Sequence, residues 1–238
     1  TRYTEEGVLG KGGMGEVVLA TDTRLGRKVA IKRIQAKAAR SQTAVQRFLT
    51  EAKSIAGLSH TNIVQIYDYG RDAKGPFIIM ELVEGESLQE KLREGALELE
   101  EAVNLTCQLC DGLAVAHDQG IVHRDIKPSN FLIESDDKLR LIDFGFAASL
   151  SESSRVSSAI AFAGTPQYIS PQQLNGDAPQ ATDDIYSLGA TFYDLLTSTP
   201  PFFRGDLQHQ VLDIPATPIE DRLKELGLKN KVPGHVAA

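Results

Sequence analysis

Short runs of β-branched or apolar residues mark the first third of the chain, which is typical of β-strands. They lie at 16–21, 29–34, 63–69 and 77–82, and a glycine-containing turn separates the first two. One helix interrupts them, because apolar residues in 43–58 recur at spacings of three and four, the spacing of one helix face. The first third is therefore predicted to be strands with one helix.

The pattern becomes mostly helical after residue 85. Helices are predicted at 87–93, 98–119 and 182–197, and two strand-like pieces, 130–133 and 139–142, are predicted to pair as a hairpin. A β-rich part of about 80 residues followed by a helical part is the order of an α+β protein with two lobes. We expect the join between the lobes at about residues 81–85.

Composition fits a globular chain. With 238 residues, 42% hydrophobic and 24% charged, the sequence excludes a disordered, collagen-like or coiled-coil protein. The longest uncharged stretch, 156–176, contains two prolines, so it cannot span a membrane. The chain begins with Thr1 and no charged-then-apolar leader follows. We therefore expect a segment excised from a longer chain, with no membrane contact of its own.

Cys107 and Cys110 are the only cysteines, and their C-x-x-C spacing is compatible with a redox or zinc site. They lie in a stretch of helical apolar spacing, with no second pair of Cys or His residues nearby. The sequence therefore predicts buried helical cysteines in a reducing compartment.

The formal net charge is −7, yet residues 23–50 contain eight basic residues and no acidic one. A nucleic-acid patch is one interpretation of this window. Phe48 is the only aromatic residue among these charges, so solvated strand and helix faces explain them better. No nucleic-acid partner is expected.

The first candidate for chemistry is the glycine-rich run Gly10-Lys11-Gly12-Gly13-Met14-Gly15-Glu16-Val17. Rossmann turns share its G-x-G-x-x-G spacing, but here a β-type run follows instead of a helix, and the expected acidic residue about 20 positions further on is missing. A plain hairpin is one alternative. The other is a hairpin folded over a triphosphate, because glycine lets backbone N–H groups approach phosphate oxygens.

Lys32 lies in an apolar strand, where a buried ammonium is costly unless an anion meets it. The alternative is a side chain that extends out of the sheet into solvent. Glu51 lies on the predicted helix between Phe48 and Ile55, at the edge of the buried face, and is the expected partner. Such a pair would fix the ammonium where it can hold phosphate oxygens.

Residues 123–130 read His-Arg-Asp-Ile-Lys-Pro-Ser-Asn, and Asp143-Phe144-Gly145 follows 18 residues after Asp125. With the glycine-rich run, Lys32 and Glu51, these motifs have the order and approximate spacing of the protein kinase family. The chain resembles that family from Thr1 to about Phe203. The resemblance implies an α+β fold with a β-rich N-lobe at 1–82, a hinge at 83–85 and a mainly helical C-lobe at 86–238.

The resemblance also implies catalytic roles. Asp125 would accept the proton of the substrate hydroxyl, and Lys127 would offset charge on the transferred phosphoryl group. Asn130 and Asp143 would hold Mg²⁺, or Mn²⁺ in its place. Thr165 would brace the loop when the site is assembled. The implied catalytic residues are Lys32, Glu51, Asp125, Lys127, Asn130, Asp143 and Thr165.

ATP is the phosphoryl donor that the resemblance implies. Adenine would be bound at the join between the lobes, by the backbone of the hinge and by apolar side chains above and below the base. Met80 would guard the deeper pocket, and Ser87 would lie near the ribose. The implied nucleotide-binding residues are Gly10, Lys11, Gly12, Gly13, Gly15, Val17, Ala30, Lys32, Met80, Glu81, Val83, Ser87, Leu132 and Asp143.

Lys127 and the run Gly164-Thr165-Pro166 resemble the residues at these positions in kinases that phosphorylate Ser or Thr residues of proteins. The pattern of 12–15 and 186–190 looks most like bacterial members. We therefore expect a cytoplasmic enzyme, alone or as the cytosolic module of a longer membrane-anchored chain. Its substrate, activating signal and oligomeric state are not encoded in any motif.

Regulation is predicted from charge placement. Phosphorylation of Ser157 or Ser158 in the serine-rich segment 149–158 would supply a dianion that pairs with Arg124 and Arg47. The alternative is that these serines are only solvated loop residues.

The sequence departs from the family pattern in two places that matter. Gln172 stands where the family usually has Glu, and we expect hydrogen bonds from Gln172 to replace that carboxylate. The segment 207–238 matches the family poorly, so the C-lobe is predicted to be truncated or shortened. Asp184, by contrast, matches a buried aspartate that ties the backbone of the 123–130 loop.

Two other functions share parts of this pattern. A pseudokinase would use the same fold as a nucleotide-binding scaffold, but every catalytic group that such proteins typically lose is present here. A small-molecule phosphotransferase of related fold is the other, and the run 164–171, which resembles a peptide-docking loop, argues against it.

Overall fold

The computed structural model describes residues 2–12, 15–34, 42–144 and 166–234. Their contacts divide the chain into two compact units, one with the described residues up to Glu84 and one with Gly85–Phe144 and the described residues from Pro166 onward. Strands with one long helix come first and helices follow, so the predicted α+β class is confirmed. The exact bounds of hinge and lobes stay a prediction.

The first unit is built on an antiparallel sheet of five strands, in the order β1-β2-β3-β5-β4. Helix α1 packs against β4 and β5. The elements are β1 (Tyr3–Gly12), β2 (Gly15–Asp22), β3 (Arg27–Ile34), α1 (Gln42–Ile55), β4 (Ile66–Asp72) and β5 (Gly75–Glu81).

Strand β1 was not predicted, because its sequence lacks an apolar run. It is held by backbone pairing with β2, interrupted by bulges after Glu5 and Val8, and its apolar residues Val8 and Leu9 are about half exposed. Strand β4 begins at Ile66 rather than at the predicted 63. Ile63 is buried but donates its N–H to His60 in a turn, so burial there does not come from a strand.

The sheet buries one face in an apolar cluster. Side chains that lie opposite each other in register supply it, since paired residues of antiparallel strands point to the same side. The members are Val18, Ala20, Val29, Ile31 and Ile79, with Tyr3 and Phe77 packed at the edge.

Two basic residues of the 23–50 window, Lys28 and Arg33, lie on this sheet beside carboxylates. The Arg33 guanidinium binds Asp72 at 2.8 Å and Glu5 at 3.0 Å, and Lys28 pairs with Glu6. Arg33 holds the pKa of Asp72 below its ordinary range. The acidic partners of these two residues come from β1 and β4, which lie outside the window.

The second unit combines a small antiparallel sheet, in the order β6-β7-β8, with helices. The predicted hairpin of β7 and β8 is confirmed. The elements are β6 (Gly85–Ser87), α2 (Leu88–Leu92), α3 (Leu99–Asp118), β7 (Phe131–Glu134), β8 (Leu139–Leu141), α4 (Pro171–Asn175), α5 (Ala181–Thr197), α6 (Leu207–Asp213) and α7 (Ile219–Leu226).

Helix α3 packs against α5 and forms the centre of this unit. The buried side of α3 carries Leu105, Leu109 and Leu113, but Cys107 and Cys110 are exposed. The prediction of buried cysteines is therefore wrong. Both thiols lie off the leucine face of the helix, which the spacing of the leucines already defines.

Strand β6 was also not predicted, because three residues give no periodicity. Gly85 allows its pairing with β7, since a Cβ at this position would lie 2.1 Å from the carbonyl oxygen of Ile133. The backbones meet here at a distance that only glycine permits.

Candidate active site

The glycine-rich run forms the end of β1 and the start of β2. Gly10 and Gly12 lie on β1, paired with Val17 and Gly15 on β2. Gly15 has a φ of 149°, and a Cβ there would lie 1.8 Å from the carbonyl oxygen of Arg33 on β3. The hairpin predicted in place of a Rossmann turn is confirmed, and at Gly15 its geometry excludes any side chain.

Four residues expected to contact nucleotide share one face of the five-stranded sheet. Val17 lies opposite Lys32, and Ala30 lies opposite Met80. Directly paired residues point to the same side of the sheet, and so do residues two apart on one strand, as Ala30 and Lys32 are. The strand register therefore gathers Val17, Ala30, Lys32 and Met80 on the face opposite the apolar cluster of the first unit.

Lys32 is buried, with 3% of its surface exposed, and its ammonium nitrogen is itself buried. The alternative of a side chain that reaches solvent is therefore wrong. Glu51 lies on α1, partly buried, with a buried carboxylate oxygen. Both members of the predicted pair lie inside the first unit, and their pairing stays a prediction.

Three residues expected to contact adenine or ribose lie at or just after the end of β5, and two of them make hydrogen bonds within the protein. The N–H of Glu81 donates to the carbonyl of Gln65 at 2.9 Å, and Val83 is half-buried beyond the end of β5. Ser87 caps α2, because its hydroxyl accepts from Glu90 N–H at 3.1 Å and donates to the Glu90 carboxylate at 2.7 Å. The hydroxyl has a structural use whether or not a ribose binds near it.

The 123–130 loop brings three predicted catalytic residues together in the second unit. Lys127 Nζ lies 2.8 Å from Asp125 Oδ2. Asn130 Nδ2 donates to the backbone carbonyl of Asp125 at 2.6 Å and to its Oδ2 at 3.0 Å. The Asp125 and Lys127 side chains are 13% and 11% exposed, so the pair is largely withdrawn from water.

The hydrogen bonds of Asn130 also determine the orientation of its side-chain amide. Both partners of its nitrogen are acceptors, so the nitrogen must face Asp125 and the carbonyl oxygen Oδ1 faces elsewhere. A free amide oxygen and a carboxylate are ligands suited to Mg²⁺. Asn130 and Asp143 therefore offer the right donor types for a divalent ion, and the described residues contain no cluster of three or more His, Cys, Asp or Glu that would form a metal site.

His123 is fully buried, and burial lowers the pKa of its imidazole. Its Nδ1 accepts the N–H of Asp125 at 3.2 Å, and its ring lies 4.8 Å from that of Phe144. A neutral imidazole can accept at Nδ1, so the lowered pKa and the hydrogen bond agree. His123 thus acts as a backbone support beside Asp125.

Asp184 at the start of α5 is fully buried and holds the same loop. Its carboxylate accepts the N–H groups of His123 and Arg124, each at 2.8 Å, and pairs with His117 Nε2 at 2.7 Å. The prediction that Asp184 ties the loop backbone is confirmed. His117 was not predicted, since it belongs to none of the motifs named above.

Sequence reasoning also missed Gln173 and the buried pair of Tyr168 and Asp194. Gln173 completes a capping box with Ser170 and donates to the carbonyl of Arg124 at 3.1 Å. The S-x-x-Q spacing before α4 was a readable signal of this cap. Gln172, which was expected to make the replacing hydrogen bonds, is exposed, so the neighbouring glutamine is the one that contacts the loop.

Tyr168 donates its hydroxyl to Asp194 Oδ2 at 2.6 Å inside the second unit. Burial raises the pKa of Asp194 to about 6, although the Tyr168 hydrogen bond lowers it in part. Burial and the neighbouring carboxylate raise the pKa of Tyr168 as well. Asp194 is therefore a buried carboxyl group that gains or loses its proton in mildly acidic solution.

Several predicted residues lie outside the described part of the chain. Gly13, Thr165, Ser157 and Ser158 are among them, as is the side chain of Arg47. Their predicted roles stay predictions. Leu132, by contrast, is described and lies half-buried on β7, opposite Arg140.

Comparison with known proteins gives a consistent result. The model of the protein kinase domain family matches residues 3–229. The serine/threonine-protein kinase PknB of Mycobacterium leprae is 40% identical over 210 residues, which cover 86% of this chain and 34% of the relative. A probable serine/threonine-protein kinase of Streptomyces coelicolor is 42% identical over 207 residues, which cover 84% of this chain and 31% of the relative. The chain thus spans about a third of the length of these curated relatives.

A solved structure has the same fold. The crystal structure of the Mycobacterium tuberculosis PknI kinase domain matches with a TM-score of 0.74 at 22% identity, over 94% of this chain and 82% of that one. The family match continues to residue 229, so the expectation that resemblance ends near Phe203 is wrong. Residues beyond Phe203 form α6 and α7, whose short helices carry too little sequence signal to be identified by motif.

Proposed function

The chain belongs to the protein kinase domain family, and from this premise we propose that it transfers the γ-phosphoryl group of ATP to Ser or Thr hydroxyls of protein substrates. Its relatives are named serine/threonine-protein kinases. The observation that carries the proposal is the arrangement of Lys127 and Asn130 around the Asp125 carboxylate within one loop.

Asp125 supplies the acceptor for a proton. As the substrate oxygen forms its bond to phosphorus and the bond to the leaving ADP oxygen breaks, the hydroxyl proton passes to the Asp125 carboxylate. Asn130 orients that carboxylate through Oδ2 and also holds its backbone, so one residue fixes both ends of Asp125. The carboxylate then needs little rearrangement to receive the substrate.

Lys127 supplies positive charge beside the base. Its ammonium lies 2.8 Å from Asp125 Oδ2 and is largely withdrawn from water, where its charge acts more strongly than at the surface. We assign to it the stabilisation of charge on the phosphoryl group during transfer. Loss of the Lys127 ammonium would therefore affect kcat more than the affinity for ATP.

The nucleotide is assigned to the residues that the register gathers on one sheet face and to the glycine-rich hairpin. Lys32 would bind phosphate oxygens, with Glu51 as the carboxylate that orients it. Asn130 and Asp143 would hold the divalent ion, with Mg²⁺ as the physiological ion and Mn²⁺ as a substitute. When bound, that ion neutralises phosphate charge.

Regulation by phosphorylation belongs to the same proposal. A phosphate on Ser157 or Ser158 would pair with Arg124 and Arg47 and order the segment that carries it. A double Ser157→Ala, Ser158→Ala variant is expected to lose stimulation by autophosphorylation. Unchanged activity and unchanged autophosphorylation would refute this part alone.

Phosphate transfer with labelled ATP, Mg²⁺ and a generic basic protein tests the function. The wild type is expected to place label on Ser or Thr of the protein. Asp125→Asn keeps the shape of the side chain but removes the proton acceptor, and a loss of at least about 100-fold is expected. Asp136→Asn, in the exposed loop between β7 and β8, is the matched control.

Each alternative function predicts a different outcome. A pseudokinase would bind ATP without transferring label. A small-molecule phosphotransferase would label low-molecular-weight acceptors and leave protein unlabelled. Equal rates for Asp125→Asn and the wild type would exclude Asp125 as the base.

No described helix has both the length and the apolar content needed to cross a bilayer. We propose that the chain works as the kinase module of a protein that acts on Ser or Thr in cytoplasmic partners.

A further inference from the structure

The backbone immediately before Asp125 adopts an unusual conformation. Arg124 has a φ of 68°, in the left-handed region that residues with a Cβ rarely adopt. Such a conformation persists only when surrounding contacts fix it. The contacts that fix it therefore also fix the position of Asp125.

Three hydrogen bonds restrain the peptide groups on either side of Arg124. Asp184 accepts the Arg124 N–H at 2.8 Å, and His123 Nδ1 accepts the Asp125 N–H at 3.2 Å. Gln173 Nε2 donates to the Arg124 carbonyl at 3.1 Å. The peptide between Arg124 and Asp125 is thus held at its N–H by His123 and at its carbonyl by Gln173.

Gln173 is itself held in one orientation. Its Oε1 accepts the N–H of Ser170 at 3.0 Å, and its own N–H donates to Ser170 Oγ at 3.0 Å. A backbone N–H can only donate and a carbonyl can only accept, so the two ends of the amide cannot be exchanged. The side chain therefore bridges Ser170 and Arg124 with both its oxygen and its nitrogen in use.

The bridge leads back to the start of α5. Ser170 is fully buried and donates its hydroxyl to Asp183 Oδ1 at 2.6 Å. Asp183 is the neighbour of Asp184, which holds the Arg124 N–H. The first turn of α5 thus reaches Arg124 twice, directly through Asp184 and indirectly through Asp183, Ser170 and Gln173.

We propose that Gln173 is a positioning residue for phosphoryl transfer, which sets the peptide plane before Asp125 and couples the start of α4 to the base. The inference rests on the proposed kinase function. Gln173 touches neither nucleotide nor metal in this role and acts only through the Arg124 carbonyl. Its loss should therefore lower kcat and leave the affinity for ATP almost unchanged.

Gln173→Glu is the sharpest test variant. The carboxylate keeps the length and the acceptor for Ser170 N–H, but it replaces the donor with an oxygen that repels the Arg124 carbonyl. We expect kcat to fall about 10- to 100-fold, because small misplacements of a reacting group have effects of this size. The KM for ATP should change by less than about twofold. The matched control is Gln172→Glu, which places the same charge at an exposed position of the same helix.

A pH profile separates positioning from a general structural role. A glutamic acid has an ordinary pKa of about 4.3, so the carboxyl of Gln173→Glu becomes partly protonated towards about pH 5 and regains a donor. Its kcat relative to wild type should therefore rise as the pH falls from about 7 to about 5. A variant that is merely less folded would show no such recovery. Gln173→Met, of similar length and without charge, replaces Gln173→Glu if the latter fails to fold.

Hydrogen exchange of the Arg124 and Asp125 amides provides a measurement that needs no activity. Gln173→Glu or Gln173→Met should speed their exchange while Gln172→Glu does not. Unchanged exchange, or a kcat within about twofold of wild type, would overturn the proposal. An inactive wild type would refute the kinase function and with it the effect on transfer, whereas the exchange rates would still show whether Gln173 holds the peptide before Asp125.

Discussion

Gly10 and Gly15 belong to the same glycine-rich run but differ in what a side chain would meet. A Cβ at Gly10 has nothing within 4 Å, whereas one at Gly15 would collide with the Arg33 carbonyl of the neighbouring strand. Spacing alone treats the two glycines as equivalent. The pairing of β2 with β3 is what makes one of them obligatory.

We predict that Gly15→Ala destabilises the protein by about 3 kcal/mol or more, because it adds backbone strain to a steric clash. Gly10→Ala, the matched control, should change the free energy of unfolding by less than about 1 kcal/mol. Urea denaturation of both variants measures this. Equal losses in the two variants would show that the clash does not decide stability.

Asp194 is the residue for which the structure predicts a dependence of stability on pH. Its pKa in the folded chain is about 6, above the ordinary value of 3.8, so the folded state binds the extra proton between these values. The contribution of Asp194 to stability is therefore greatest below pH 4 and is lost as the pH rises through about 6. The difference between a pKa of about 6 in the folded chain and the ordinary 3.8 corresponds to about 3 kcal/mol of stability.

Asp194→Asn keeps an acceptor for the Tyr168 hydroxyl and cannot ionise. We expect equal stability of variant and wild type near pH 4, and a variant more stable by up to about 3 kcal/mol at pH 7. The measurement is the free energy of unfolding at a series of pH values, with Asp177→Asn in an exposed loop as control. A constant difference between variant and wild type across this range would contradict the assignment.

At the scale of the element, helix α7 shows how a helix with little apolar surface is anchored to the rest of the second unit. Arg222 donates to the Tyr193 hydroxyl at 3.1 Å and to Thr217 Oγ1 at 3.3 Å, and its guanidinium lies 5.2 Å from the centre of the Phe203 ring. Ile219 and Leu223 supply the buried apolar residues of the helix. A planar cation with several directed hydrogen bonds thus complements a small apolar contact.

Arg222→Ala is expected to destabilise the second unit by about 2 kcal/mol, because it removes both packing and hydrogen bonds. Lys224→Ala is the matched control on the same helix. Lys224 is 73% exposed and pairs only with Asp221 among the described residues, so its loss should cost less than about 0.5 kcal/mol. Thermal unfolding compares the two, and similar losses would refute the anchoring role.

At the scale of the whole molecule, the residues expected to bind nucleotide are divided between the two units. Lys32 belongs to the first and Asp143 to the second. A ligand that needs both residues stabilises the folded chain by mass action, and each missing contact reduces that stabilisation. Nucleotide binding is therefore a test of the complete chain.

A non-hydrolysable ATP analogue with Mg²⁺, at about 100 times its Kd, is expected to raise the Tm by about 5 °C or more. Lys32→Met and Asp143→Asn should each remove most of this shift. Lys28→Met and Asp136→Asn, at exposed positions, are controls that should retain it. A full shift in the Lys32 and Asp143 variants would place the nucleotide elsewhere.

The sequence by itself determined the long elements and the family. Helices such as α3 and α5 have enough turns for periodicity to be visible, and motifs of fixed order identify a family because a given fold brings its functional residues together from fixed positions along the chain. Asp184 was also predictable, since it is part of a motif. Strand β1 was not, because backbone pairing rather than an apolar pattern holds it.

Only the tertiary structure decided which neighbours these residues have. The hydrogen bond from Gln173 to the Arg124 carbonyl joins residues 49 apart in the chain, and the hydrogen bond from Tyr168 to Asp194 joins residues 26 apart. The burial of the Lys32 ammonium likewise depends on what packs against each face of its strand. Sequence spacing determines local geometry, whereas burial and hydrogen-bond partners depend on elements brought together by folding.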